Sequence, residues 1–109
     1  MKKKILVVDD SALMRRVICD IINSDNRFEV VDKATNGLEA FDLLSRNCYD
    51  AVVLDVNMPK MNGIELLKEL KKQGIKARVL MASTVTMQGA KVTMEALEDA
   101  FGTEPVYYA

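Results

Sequence analysis

No histidine occurs among the 109 residues, and cysteine occurs only twice, as Cys19 and Cys48, with no Cys-x-x-Cys pair. A zinc site and a Cys–His nucleophile are thereby nearly excluded, so any catalysis or metal binding must use oxygen ligands. Net charge is equally scarce: 15 basic and 16 acidic residues give a formal −1, without the electrostatic footprint for nucleic acid or an acidic membrane. The Met1-Lys2-Lys3-Lys4 run reads as a solvated lead-in to the first strand. No apolar run nears the roughly 18 residues of a bilayer span, and residues 5–8 are too short for the apolar region of a signal peptide. The chain reads as cytoplasmic. Nothing suggests a linker, a second domain or low complexity, and 109 residues with 50% apolar content suit one domain with one core.

What is there is an alternation of apolar periods. Ile5-Leu6-Val7-Val8 is a continuous run, and Met14, Val17, Ile18, Ile21 and Ile22 then follow helical spacing, with Arg15, Arg16, Asp20 and Asn23 off the stripe. Phe28-Glu29-Val30-Val31 is strand-like, and from Gly37 the positions Ala40, Phe41 and Leu44 return to helical spacing. Ala51-Val52-Val53-Leu54 is a third strand. Gly63 opens a helix carrying Ile64, Leu66, Leu67 and Leu70, and Gly74 after Lys71-Lys72 is placed as a C-terminal stop. Residues 78–82 make a fourth strand, and Ala90, Met94, Leu97 and Phe101 line a fourth helix. Strands alternating with helices, each strand apolar throughout, predict an α/β domain: a doubly wound parallel sheet covered on both faces.

In such sheets ligands bind beyond the carboxyl ends of the strands, where the strand order reverses. The polar residues at those ends are Asp9, Asp10 and Ser11 after the first strand, Asp55 after the third, and Ser83 and Thr84 after the fourth. Each has an ordinary explanation when taken alone. Asp10 or Ser11 would cap the first helix, Asp55 a turn, and Ser83 or Thr84 another helix. If the first, third and fourth strands are neighbours, three carboxylates and two hydroxyls meet in one crevice. Packed carboxylates repel one another unless a cation joins them, and an all-oxygen set suits Mg²⁺ better than zinc or copper. The cluster therefore predicts a magnesium site.

The ordered set Val7-Val8-Asp9-Asp10-Ser11, then Asp55-x-x-Met58-Pro59-x-Met61-x-Gly63, then Ala82-Ser83-Thr84, resembles the receiver domain of two-component response regulators. The stretch Val79-Leu80-Met81-Ala82-Ser83-Thr84-Val85-Thr86, with Gly89-Ala90 and Ala96-Leu97, most resembles the receiver of chemotaxis protein-glutamate methylesterases. The resemblance implies a flavodoxin-like fold with strand order 2-1-3-4-5. It implies that Asp55 accepts a phosphoryl group from a histidine kinase, and that Asp10 binds Mg²⁺ directly and Asp9 mainly through water. The Asn57 carbonyl would complete the metal's protein ligands. Ser83, helped by Thr84, would hydrogen-bond the phosphoryl oxygen and draw its loop inward. The Asn57 side chain would face the mouth of the site. No methylesterase domain follows in this sequence, so the resemblance is to a regulatory half, with that effector expected in the parent protein.

The single domain, residues 1–109, departs from the family's pattern after about residue 98. Receivers continue with a fifth strand ending in Lys-Pro and a fifth helix, whereas here no lysine follows Lys91, Glu104 precedes Pro105, and the fifth helix is missing. Lys60 is the nearest substitute cation in the sequence of the acceptor loop. An impaired switch is the expectation, with a pseudo-receiver acting only as a protein-interaction module as the alternative. An aspartyl phosphatase would want a second acid where Asn57 stands, and a flavin-binding protein would not place Asp9-Asp10 at its phosphate loop. Loss of the fifth helix is also expected to bare strand side chains at residues 5–8 and 51–54, driving self-association through that face or through exchange of Pro105-Val106-Tyr107-Tyr108.

Overall fold

The first strand, β1 (Lys3–Val8), takes up the centre of a parallel sheet because its residues from Ile5 onward are apolar on both faces. The computed structural model describes residues 2–55, 61–75 and 78–81. After β1 come α1 (Ala12–Asn23), β2 (Phe28–Ala34), α2 (Gly37–Arg46), β3 (Ala51–Leu54), α3 (Gly63–Gln73) and β4 (Val79–Met81). The sheet order is β2-β1-β3-β4 and every pairing is parallel. Over the described strands this is the order expected of a flavodoxin-like fold. The expected fifth strand and fourth helix, and the expected absence of a fifth helix, fall outside the described residues.

Side-chain alternation along β1 and β3 divides the core. Leu6, Val8, Val52 and Leu54 meet Ala40 and Leu44 of α2 and Leu66, Leu67 and Leu70 of α3 on one face. Ile5, Val7, Ala51 and Val53 meet Ile18, Cys19 and Ile22 of α1 on the other. None of the eight residues at 5–8 and 51–54 is more than 1% exposed. This corrects the expectation that these strand faces lie bare. The argument for self-association through an uncovered face loses that premise. The exchange of residues 105–108 falls outside the described residues.

Local details follow from the sequence. β2 reaches three residues beyond the expected Val31, because the register shifts between Ile5 and Leu6: Ile5 faces Val30, Leu6 faces Asp32, and Val31 is the extra residue. Such a bulge breaks the alternation by which strands are recognised. Val17 and Ile64, expected on the buried stripes, are 39% and 38% exposed, and Cys19 is buried instead of Val17. The packed arcs of α1 and α3 are narrower than the apolar arcs of their sequences. Asn36 and Asn62 cap α2 and α3, the second in a capping box with Glu65. Gly74 ends α3 at φ 75°, as its position after two lysines predicted. Among the described residues no helix is long and apolar enough to cross a membrane.

Candidate functional site

Two strand ends bring the acids together. β1 stops at Val8 and α1 begins at Ala12, so Asp9, Asp10 and Ser11 make the corner between them. Asp55 is the first residue after β3. The sheet's ladders run on past both strands: the Asp9 N–H donates to the Ala34 carbonyl at 3.1 Å, and the Asp55 N–H donates to the Val8 carbonyl at 2.9 Å. Because the chain crosses from one side of β1 to the other between β2 and β3, the order reverses here, which is where sheets of this kind place their ligands. Asp9, Asp10 and Asp55 each offer a carboxylate oxygen within 4.8 Å of the others. Asp9 is buried at 4% exposure, Asp55 is half-buried and Asp10 is exposed.

Of the two residues considered for capping the first helix, Ser11 takes that duty. Ser11 is the N-cap of α1, its Oγ accepting from the Met14 N–H at 3.3 Å, so Asp10 is not needed there. The cap of α3 is Asn62, not Asp55. The position of Asp9 is fixed further. Its Oδ1 accepts from the Ser11 N–H at 2.9 Å, and its carbonyl accepts from Arg15 Nη1 at 2.8 Å. Arg15 is the residue that the sequence pattern missed, since its place off the apolar stripe reads as solvation. The available signal was a cation in a first helical turn that holds no acid.

Burial raises the Asp9 carboxyl above its ordinary value, and the nearby charges of Asp55 and Asp10 add to the rise. The Ser11 N–H and, less strongly, Arg15 act against it. Ionised together, three carboxylates at this spacing have a net unfavourable interaction that a divalent cation would relieve. The donor set fits Mg²⁺: the atoms are hard carboxylate oxygens, one acid is anchored in the sheet, and one is exposed enough to adjust. Asn57, Lys60, Ser83 and Thr84 lie outside the described residues.

Residues 5–101 match the family model of the response regulator receiver domain. The chain is 50% identical over 95 residues to a protein-glutamate methylesterase/protein-glutamine glutaminase of Treponema denticola, covering 87% of this chain and 26% of that protein. It is 47% identical over 97 residues to the protein of the same name from Pyrococcus horikoshii, covering 89% and 26%. The chain thus spans about a quarter of the length of these relatives. Among solved structures it is similar to the response regulator domain of Thermotoga maritima CheB, at 43% identity and a TM-score of 0.71, over 92% of this chain and 74% of that one. The chemotaxis protein CheY4 of Vibrio cholerae shares the fold at a TM-score of 0.79 and 23% identity, over 92% of this chain and 99% of that one. Family match, strand order and acidic crevice agree: the chain belongs to the response regulator receiver domain family, and within it resembles the receivers of chemotaxis protein-glutamate methylesterases.

Proposed function

We propose that this chain is the phosphoacceptor receiver of a chemotaxis-type two-component system, taking a phosphoryl group from a histidine kinase onto Asp55. The observation that carries the reading is the convergence of Asp9, Asp10 and Asp55, with oxygens within 4.8 Å of one another, at the reversal of strand order. Asp9 is too buried to meet a phosphodonor, whereas Asp55 is half-buried and its backbone is held to Val8. A carboxylate oxygen of Asp55 attacks phosphorus as the P–N bond of a phosphohistidine breaks. The electron pair returns to the imidazole nitrogen, and an acyl phosphate remains on Asp55.

Asp9, Asp10 and Asp55, with the Asn57 carbonyl, are the groups that would hold Mg²⁺. Bound there, the ion offsets charge on the phosphoryl oxygens. Ser83, with Thr84, supplies hydroxyls to the transferred group in this reading. With no lysine after Lys91 to complete that contact, the conformational response is reduced. A methylesterase effector in the parent protein is the output, and this receiver is its regulatory part.

Incubation with acetyl phosphate and Mg²⁺, followed by intact mass spectrometry, tests the assignment. One phosphoryl group should appear on the wild type and none on Asp55→Asn. An unlabelled wild type would instead favour an interaction module without phosphotransfer, a reading to which the absent lysine already lends weight.

A further inference from the structure

We infer that Arg15 is a positioning residue for the cation site, holding the β1–α1 corner in its binding geometry through the backbone carbonyl of Asp9. The inference rests on the proposed Mg²⁺ site and concerns a residue that does not itself ligate.

Three groups of Asp9 are tied down. Its N–H is the last rung to β2 at Ala34, its Oδ1 takes the Ser11 N–H, and its carbonyl takes Arg15 Nη1 at 2.8 Å. The carbonyl is the vulnerable one. β1 has ended, Asp9 is 4% exposed, and a buried carbonyl past a strand end needs a donor from elsewhere. Arg15 supplies that donor from the first full turn of α1, where its side chain runs back toward the helix N-terminus as helical geometry directs. Its backbone N–H is bonded to the Ser11 carbonyl at 2.9 Å, so one residue grips both ends of the corner that carries Asp10.

The location is otherwise a poor one for a cation. The first turn of α1 contains no acid, and the positive end of the helix dipole disfavours a guanidinium there. Arg16, one residue on, shows the ordinary alternative: exposed, it approaches Asp20 at 4.0 Å on the solvent side. Arg15 is instead turned back to the Asp9 carbonyl.

Charge and positioning make opposite forecasts. A positive charge beside a cation site weakens binding, so removing it should tighten Mg²⁺ if charge were all that mattered. If Arg15 positions the corner, its removal should weaken Mg²⁺, and loss of such an outer partner typically costs about 10-fold or more in metal affinity. Mg²⁺ affinity is read by thermal-shift titration of the whole chain, with Arg15→Met as the principal variant because it keeps an apolar stem. Arg15→Gln serves as a second neutral variant should Met fail to fold. Arg15→Lys keeps the charge and a donor nitrogen, and Arg16→Met controls for net charge.

The expected result is a Kd about 10-fold higher in Arg15→Met and Arg15→Gln, largely restored by Arg15→Lys, and unchanged in Arg16→Met. Binding as tight as wild type, or tighter, in either neutral variant overturns the inference while the Mg²⁺ site stands. A wild type that shows no Mg²⁺ response overturns both.

Discussion

The N–H of Gly37 donates to the carbonyl of Met61 at 3.0 Å, and a Cβ on Gly37 would lie 2.0 Å from that oxygen and 2.8 Å from Met61 Cγ. The start of α2 is thereby fastened to the residue that precedes the cap of α3. Neither side can yield cheaply. Met61 already stands at φ 51°, in the left-handed region, and Asn62 beside it is committed to its capping box. Since Met61 directly precedes the cap of α3, this contact ties the starts of α2 and α3 together.

Gly37→Ala should therefore destabilise the domain by about 1–3 kcal/mol, as overpacking against backbone does. Gly74 provides the comparison. Its φ of 75° strains any other residue, but nothing lies within 4 Å of an added Cβ, so Gly74→Ala should cost only about 1 kcal/mol. Urea unfolding measures both. Acetyl phosphate labelling should slow in Gly37→Ala and not in Gly74→Ala.

Asp9 holds its proton more tightly in the native state than its ordinary 3.8, first because it is buried and then because Asp55 and Asp10 are near. A folded pKa above the unfolded one gives stability that is full below the ordinary value and lost as pH rises through the raised one. In buffer free of divalent cations, Asp9→Asn should gain on the wild type as the pH is raised from about 4 to about 7. Added Mg²⁺ should return the advantage to the wild type. Melts with and without EDTA check the sign.

Ser11 and Asp10 can be separated by substitution. Loss of the cap in Ser11→Ala should cost about 1 kcal/mol while leaving the Mg²⁺-induced rise in melting temperature in place. Asp10→Ala should abolish that rise and, without Mg²⁺, should not destabilise the fold, since it removes a repelling charge. Equal Mg²⁺ responses in wild type and Asp10→Ala would remove Asp10 from the ligand set.

Tyr49, in the loop before β3, donates its hydroxyl proton to Asp32 Oδ2 on β2. Burial first, and then Asp32, push the phenol up to about 12. The stability from this contact is present below the ordinary phenol value of 10 and is lost as pH rises toward about 12. Tyr49→Phe should cost about 1 kcal/mol at neutral pH. In an ultraviolet titration it should remove a phenol that ionises at about 12.

The sheet and its acids were legible because they are written in local pattern. Apolar runs at residues 5–8 and 51–54 each end abruptly in aspartate, and that break carries both the strand and the crevice. The bulge at Val31 was not legible, since one extra residue on an edge strand looks like the strand's end. The inward turn of Arg15 was hidden for another reason: its partner is a backbone carbonyl, which has no letter in the sequence. Val17 and Ile64 misled because an apolar residue at the flank of a helix stripe has the right spacing and the wrong angle. The burial of residues 5–8 and 51–54 is a property of tertiary packing, which the pattern of single elements does not carry.

The amides of Asp9 and Asp55 are the terminal rungs of the β1–β2 and β1–β3 ladders. To exchange its proton with solvent, each must first part from a carbonyl on the neighbouring strand. Deuterium uptake at these two positions is then governed by opening of the sheet rather than by fraying of a surface loop. While those two rungs stay closed, the backbones of the two acids hold one register, and an arriving ion meets them side by side.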